Sequence, residues 1–202
     1  MHPDTMRLID RWVGIPLCFF ASFWPLKKAQ ADSNSTLATN IPPPDTIVFI
    51  LIAEIGALVV AYPAIKETRK QHPKSRICFI TAPAGLQTLE LMGFEKEDIF
   101  LLETTSIKNL LKGIVNIRSH FKGKRVSAIV LEPFTRFSTL LSAWIGASKR
   151  IGCYRFLNEG VYSGNILTHR LVYNPHLHMS QTYFALAKAL IEPDSAKPLL
   201  KE

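Results

Sequence analysis

Residues 46–65 read TIVFILIAEIGALVVAYPAI. The first seven are uncharged and rich in Ile, Val and Phe, as in a strand buried on both faces of a sheet. Glu54 and Gly56 close the run, and a helical pattern follows from about residue 58. A buried strand feeding a glycine turn and then a helix is the opening of a Rossmann-like unit, with a ligand crevice above the turn.

Working toward the C-terminus, strand-like runs recur at 76–81 (RICFIT), 98–102 (DIFLL) and 126–131 (VSAIVL), with a shorter one at 149–153 (KRIGC). Helical patterns fill the gaps at about 84–92, 106–121 and 136–146, and a last helix covers 180–191 with Ser180 as its cap. Ile107, Leu110, Leu111, Ile114 and Ile117 make an apolar stripe, with Lys108, Lys112 and Arg118 off that face. Strands alternating with helices of this length predict βαβ units, hence an α/β fold with a parallel sheet covered on both faces.

Working toward the N-terminus, residues 29–45 (AQADSNSTLATNIPPPD) form a polar linker ending in three prolines, which stiffens toward polyproline II. Before it, Trp12 to Leu26 is uncharged, with Arg7 and Arg11 ahead and Lys27 and Lys28 behind. As a helix this stretch spans about 22 Å, short of the ~30 Å hydrocarbon core of a bilayer. Three readings stand for it. Its aromatic ends and basic flanks suit a membrane-surface anchor. Arg7, Arg11 and Ala29-Gln30-Ala31 imitate a signal peptide with its cleavage site. An ordinary core or dimer helix is the third. The domain organisation expected is an interfacial segment at 1–28, a linker at 29–45 and a Rossmann-like domain at 46–202.

The chain has 202 residues and a net charge of +8, enough for one sizeable core and an appendage. Residues 1–45 hold four basic and four acidic side chains, so the excess lies wholly in the globular part. A basic surface suits phosphorylated sugars or anionic headgroups. Nucleic acid is the weaker reading, because the cations (among them Arg69, Lys70, Lys149 and Arg150) lack interleaved aromatics and a recognition motif, and solvated helix ends and loops are the alternative for them. Cys18, Cys78 and Cys153 are odd in number and show no CxxC spacing; Cys78 and Cys153 read as buried thiols.

Three loops carry the polar residues that chemistry needs. Ala53-Glu54-Ile55-Gly56-Ala57 has neither GxGxxG nor GxxxxGK[ST], so no nucleotide cofactor is expected to bind there. Glu54 is placed either as a general base or as a solvated or capping carboxylate. The second loop, Leu131 to Ser138, offers Glu132, Arg136 and Ser138. Arg136 can hold a phosphate or carboxylate in bidentate fashion, or pair with Glu132 beside a Ser or Thr cap. The third stretch, 152–178, contains His169, Asn174, His176 and His178. No acidic or thiol residue stands at ligand spacing from these histidines, so they read as sugar-facing or core residues and no metal is expected. No nucleophile elbow or Ser-His-Asp order occurs, so hydrolase chemistry has no support.

Taken together, RLIDRWVGIPLC (7–18), AEIGALVVAYPAIKETRKQHP (53–73), LEPFTRFSTLLSAWIGASKRIG (131–152), EGVYSGNILTHRLVYNPHLH (159–178) and QTYFALAKAL (181–190) resemble the heptosyltransferase family, glycosyltransferase family nine. The resemblance implies a GT-B architecture of two Rossmann-like domains, of which this chain corresponds to the N-terminal, acceptor-binding one. It implies inverting transfer of heptose from an ADP-sugar to a lipid-linked acceptor of lipopolysaccharide assembly. Glu54 would be the base, with Gly56, Glu132, Arg136, Ser138, His169, Asn174 and His178 at the acceptor. The family's usual acid after the turn glycine is Ala57 here. The donor domain, and with it the nucleotide-sugar partner, is expected on a separate chain or on a missing part, leaving this chain inactive alone. The implied location is the cytoplasmic face of the inner membrane, held peripherally. A non-catalytic membrane-associated binding module that keeps the fold is the alternative.

Overall fold

The computed structural model describes residues 12–23, 43–52, 54–133, 135–154 and 163–191. The flanking cations Arg7, Arg11, Lys27 and Lys28, the Ala29-Gln30-Ala31 stretch and most of the proline linker lie outside these residues.

Six parallel strands form one sheet: β1 (Thr46–Ile50), β2 (Arg76–Thr81), β3 (Ile99–Leu101), β4 (Val126–Val130), β5 (Lys149–Tyr154) and β6 (His169–Val172). Their order is β3-β2-β1-β4-β5-β6, that of a doubly wound Rossmann-like sheet. Thr46 pairs with Arg76 on one side and Val126 on the other, and the same register carries Ile50 to Ile80 and Val130. The uncharged run of the sequence is thus the central strand.

Alternation along β1 sends Ile47 and Phe49 to one face and Val48 and Ile50 to the other. On the first face pack α2 (Ile55–Gln71), α3 (Leu86–Leu91) and α6 (Met179–Lys188), through Leu58, Ala61, Ile65, Leu89, Tyr183 and Leu186. On the second lie α4 (Ile107–Phe121) and α5 (Arg136–Trp144), through Ile117, Phe121 and Leu141. Burying each such Leu, Ile or Phe is worth roughly 1.5–3 kcal/mol, so both layers are anchored by the strand the sequence marks most clearly. A further helix, α1 (Gly14–Phe23), packs on α5.

Four expectations need correction. Strand β6 falls inside 152–178, where polar His169 and Arg170 hide it. The stripe on α4 is only partly inward, for Ile107 and Leu111 are exposed, as is Val115. Lys149 and Arg150 are not surface cations but are 6% and 1% exposed. Lys149 donates to the Leu190 carbonyl (2.8 Å) and Arg150 to those of Ile166 (2.6 Å) and Ala147, so peptide dipoles compensate their burial. Cys78 is buried as expected, but Cys153 is only half-buried.

Candidate functional site

The strand order reverses between β1 and β4, and their carboxyl ends open the crevice where folds of this kind bind ligands. Two carboxylates stand there in different states. Glu54 follows β1 and occupies the N-cap position of α2 with extended backbone (φ −126°, ψ 103°), yet its side chain makes no capping hydrogen bond. It is exposed and lines a pocket of about 60 Å³ with Leu51, Leu131, Glu132, Pro133, Thr135 and Tyr183.

Glu132, after β4, is 7% exposed and occupied by internal donors. Its Oε1 accepts the Ile52 N–H (2.8 Å), and its Oε2 accepts the hydroxyls of Thr135 (3.0 Å) and Ser138. One carboxylate therefore ties the loop after β1 to the loop after β4. Thr135 sits at the N-cap of α5 without capping it, its hydroxyl being turned to Glu132. Ser138 is fully buried beneath this tie, and Arg136, the first residue of α5, is 7% exposed.

Tyr183 comes from α6 and completes the pocket wall, 2% exposed. Burial pushes its phenol up to about 12, and the charges of Glu54, then Cys153, Glu132 and Tyr173 add to the shift. A neutral hydroxyl beside two carboxylates is a hydrogen-bond donor at any physiological pH. Nothing in local spacing marks Tyr183, which reaches the site only because α6 packs against α2.

The remaining sequence-derived residues scatter. Gly56 lies inside the first turn of α2, not in a turn before it, and nothing stands within 4 Å of where a Cβ would be. The fold itself does not require glycine there; the effect is a bare backbone at the rim. Ala57 is half-buried against the core, leaving no acid at that position. His169 is fully buried in β6 opposite Ile151, with Nδ1 2.9 Å from the Thr168 hydroxyl, and does not line the pocket. Asn174 and His178 belong to the loop leaving β6, at the carboxyl edge. The Asn174 side chain accepts the His176 N–H (3.0 Å). His178 caps α6, its Nδ1 accepting the Ser180 N–H (3.3 Å) and facing the Ser180 hydroxyl (2.7 Å). The cap is thus His178, not Ser180, and α6 starts at Met179. Among the described residues no group of three His, Cys, Asp or Glu could hold a metal.

Solved structures match this fold. Heptosyltransferase WaaC of E. coli with ADP-2-deoxy-2-fluoro heptose aligns at a TM-score of 0.57 and 10% identity, over 75% of this chain and 50% of that one. The fold is shared with heptosyltransferases. WaaC with ADP gives 0.55 and 10%, over 75% and 49% of the two chains. A family 9 glycosyltransferase from Veillonella parvula gives 0.54 and 18%, over 78% and 45%. The chain spans about half the length of these structures. No protein-family profile and no curated protein sequence matches it.

Proposed function

We propose that this chain is the acceptor-binding half of a heptosyltransferase-like glycosyltransferase, which moves a sugar from an ADP-sugar onto a lipopolysaccharide-type acceptor. The observation that carries the reading is Glu54. It is an exposed carboxylate with no capping bond, in a pocket at the β1/β4 switch point of a sheet whose fold heptosyltransferases share.

In the reaction the acceptor hydroxyl gives its proton to the Glu54 carboxylate as its oxygen bonds to the anomeric carbon of the donor. The bond from that carbon to the diphosphate breaks, and ADP leaves with the electron pair. Base assistance of this kind is worth about 10²–10⁴-fold. Tyr183 would donate to a sugar oxygen, and Glu132 would keep the two loops at a fixed separation. The donor would be held by a second Rossmann-like domain, so the chain alone would be inactive. A lipid-linked acceptor and a cytoplasmic ADP-sugar place the work at the cytoplasmic face of the inner membrane. Among the described residues no helix is long and apolar enough to cross a membrane.

The test supplies the chain with a separately produced donor domain of a heptosyltransferase, ADP-heptose and a lipopolysaccharide-core acceptor. Transfer by the mixture, and none by the chain alone, supports the reading. Turnover by the chain alone overturns the half-enzyme proposal, and undiminished turnover by Glu54→Gln overturns the base. A second reading, a binding module without chemistry, is favoured by the methyl group of Ala57 where the family it resembles carries an acid. Acceptor binding without turnover in the mixture would select it.

A further inference from the structure

Helix α1 is fixed to the domain by one narrow face and leaves the rest of its surface apolar and open. Gly14 and Cys18 are buried, and Ser22 is half-buried on the same side. The Ser22 hydroxyl donates to the Cys18 carbonyl (2.7 Å) and accepts the Asn165 N–H (3.0 Å). Gly164 lies in the left-handed region (φ 58°), so close that a Cβ would meet Ser22 Oγ at 2.0 Å. The opposite face shows Trp12 at 70%, Phe20 at 69% and Phe23 at 74% exposure, with Leu17 and Phe19 about half exposed. Phe19 stands edge-on to Phe20 and Phe23, with centroids 5.8 and 5.0 Å away, so the rings form one ridge. Residues 12–23 carry no charge. Isolated apolar side chains on a surface are ordinary, but a continuous aromatic ridge marks a surface that is covered in use.

We infer that α1 is an in-plane docking face for a lipid bilayer with anionic headgroups, laying its aromatic ridge among the upper acyl chains. Charge complementarity selects this occupant. Between Asp10 and Asp32 the sequence has no acid, while within that window Arg11 precedes the ridge and Lys27 and Lys28 follow it. Arg170 reaches the same corner of the fold, donating to the Asn165 side chain (2.8 Å) beside Ser22. An apolar helix with cations at both ends matches a headgroup layer over acyl chains. At about 15 Å the helix is too short to span, and its fixation through Ser22 and Gly164 means that binding orients the whole sheet. The inference rests on the exposure of α1 and is independent of the chemistry proposed for the pocket.

The experiment is co-sedimentation of the full chain with vesicles of phosphatidylcholine and phosphatidylglycerol. It compares wild type with the combined Phe19→Ser, Phe20→Ser and Phe23→Ser variant and with a Leu91→Ser control, Leu91 being 90% exposed on α3. Wild type and control should bind alike, and the triple variant should partition at least about tenfold less, with its thermal transition unchanged. Equal binding by all three overturns the inference. So does a lipid-free dimer that the triple substitution dissociates while wild type ignores vesicles. Should the triple variant not fold, quenching of wild-type tryptophan emission by lipids brominated high on the acyl chains decides: quenching supports in-plane insertion, and its absence overturns it.

Discussion

Glu132 Oε1 accepts the Ile52 amide at 2.8 Å across the point where the strand order reverses. The two loops that frame the pocket are thus joined by a buried carboxylate, beyond the Leu131 N–H to Ile50 carbonyl bond (3.0 Å) that continues the ladder between the strands. Glu132→Ala would strip the partner from the Ile52 N–H and from the buried Ser138 hydroxyl together. A cost of about 2–4 kcal/mol is expected, read by urea denaturation. Glu132→Gln keeps an oxygen for Ile52, and the two hydroxyls can turn to accept from the new amide, so it should cost only about 1 kcal/mol.

Glu54 should behave in the opposite way. It is exposed and makes no capping bond, so Glu54→Gln should leave stability within about 0.5 kcal/mol. Transfer by the chain supplied with a donor domain should fall about 10²–10⁴-fold. Two carboxylates on one pocket would then separate cleanly, one by denaturation and the other by turnover.

Tyr183 supplies an alkaline signature. Its folded pKa, pushed up to about 12 by burial and then by Glu54, lies above the usual 10.0. The native state therefore holds the phenolic proton more tightly than the unfolded chain does. That contribution is complete below pH 10 and lost as pH rises through about 12. Tyr183→Phe should remove this part of the alkaline loss. In Glu54→Gln, the tyrosinate absorbance belonging to Tyr183 should appear at lower pH, since one of the charges opposing its ionisation is gone. Subtracting the titration of Tyr183→Phe isolates that signal.

The sheet centre was legible because β1, β4 and all of β2 after Arg76 are buried on both faces and must be uncharged runs, which local sequence displays. Strand β6 was not, because it is an edge strand specified by its pairing with β5, from Ile151–His169 to Tyr154–Val172. Its His169 and Arg170 carry no strand signal of their own. The pocket divides similarly. Glu54 and Glu132 end legible strands, so the switch point could be read. Tyr183 enters by helix packing, and the exhaustion of the Glu132 carboxylate depends on Ile52, far away in sequence. Gly56 looked like a turn residue because glycine after a strand usually is one, whereas here the helix has already begun.

His72 sets an acid limit on stability. Burial, followed by the charge of Lys149, holds its imidazole below the ordinary 6.5. The native state binds this proton less tightly than the unfolded chain does. The contribution is therefore full above pH 6.5 and lost as pH falls through the folded value. Wild-type Tm should drop on acidification from neutral pH, and His72→Gln should flatten that drop. A residual slope is expected from His120, held low by burial and by the charges of Lys124 and Arg76.

The seat of α1 can be tested by a clash and its relief. Gly164→Ala puts a methyl at a left-handed φ of 58° and 2.0 Å from Ser22 Oγ. Either Ser22 turns away, giving up Asn165 and the Cys18 carbonyl, or α1 lifts from α5. A loss of about 1–3 kcal/mol is expected, seen in hydrogen exchange as weakened protection of α1 while the strand amides stay protected. Ser22→Ala alone should cost only about 0.5–1.5 kcal/mol, because it removes one hydroxyl and introduces no overlap. With Ser22→Ala already in place, the nearest remaining atoms are the Cys18 carbonyl oxygen at 3.0 Å and the Cβ of residue 22 at 3.3 Å, contacts that shifts of tenths of an ångström relieve. The double variant should therefore lose less than the sum of the two single losses. That coupling would fix the hydroxyl of Ser22, and not backbone strain alone, as what makes glycine necessary at position 164.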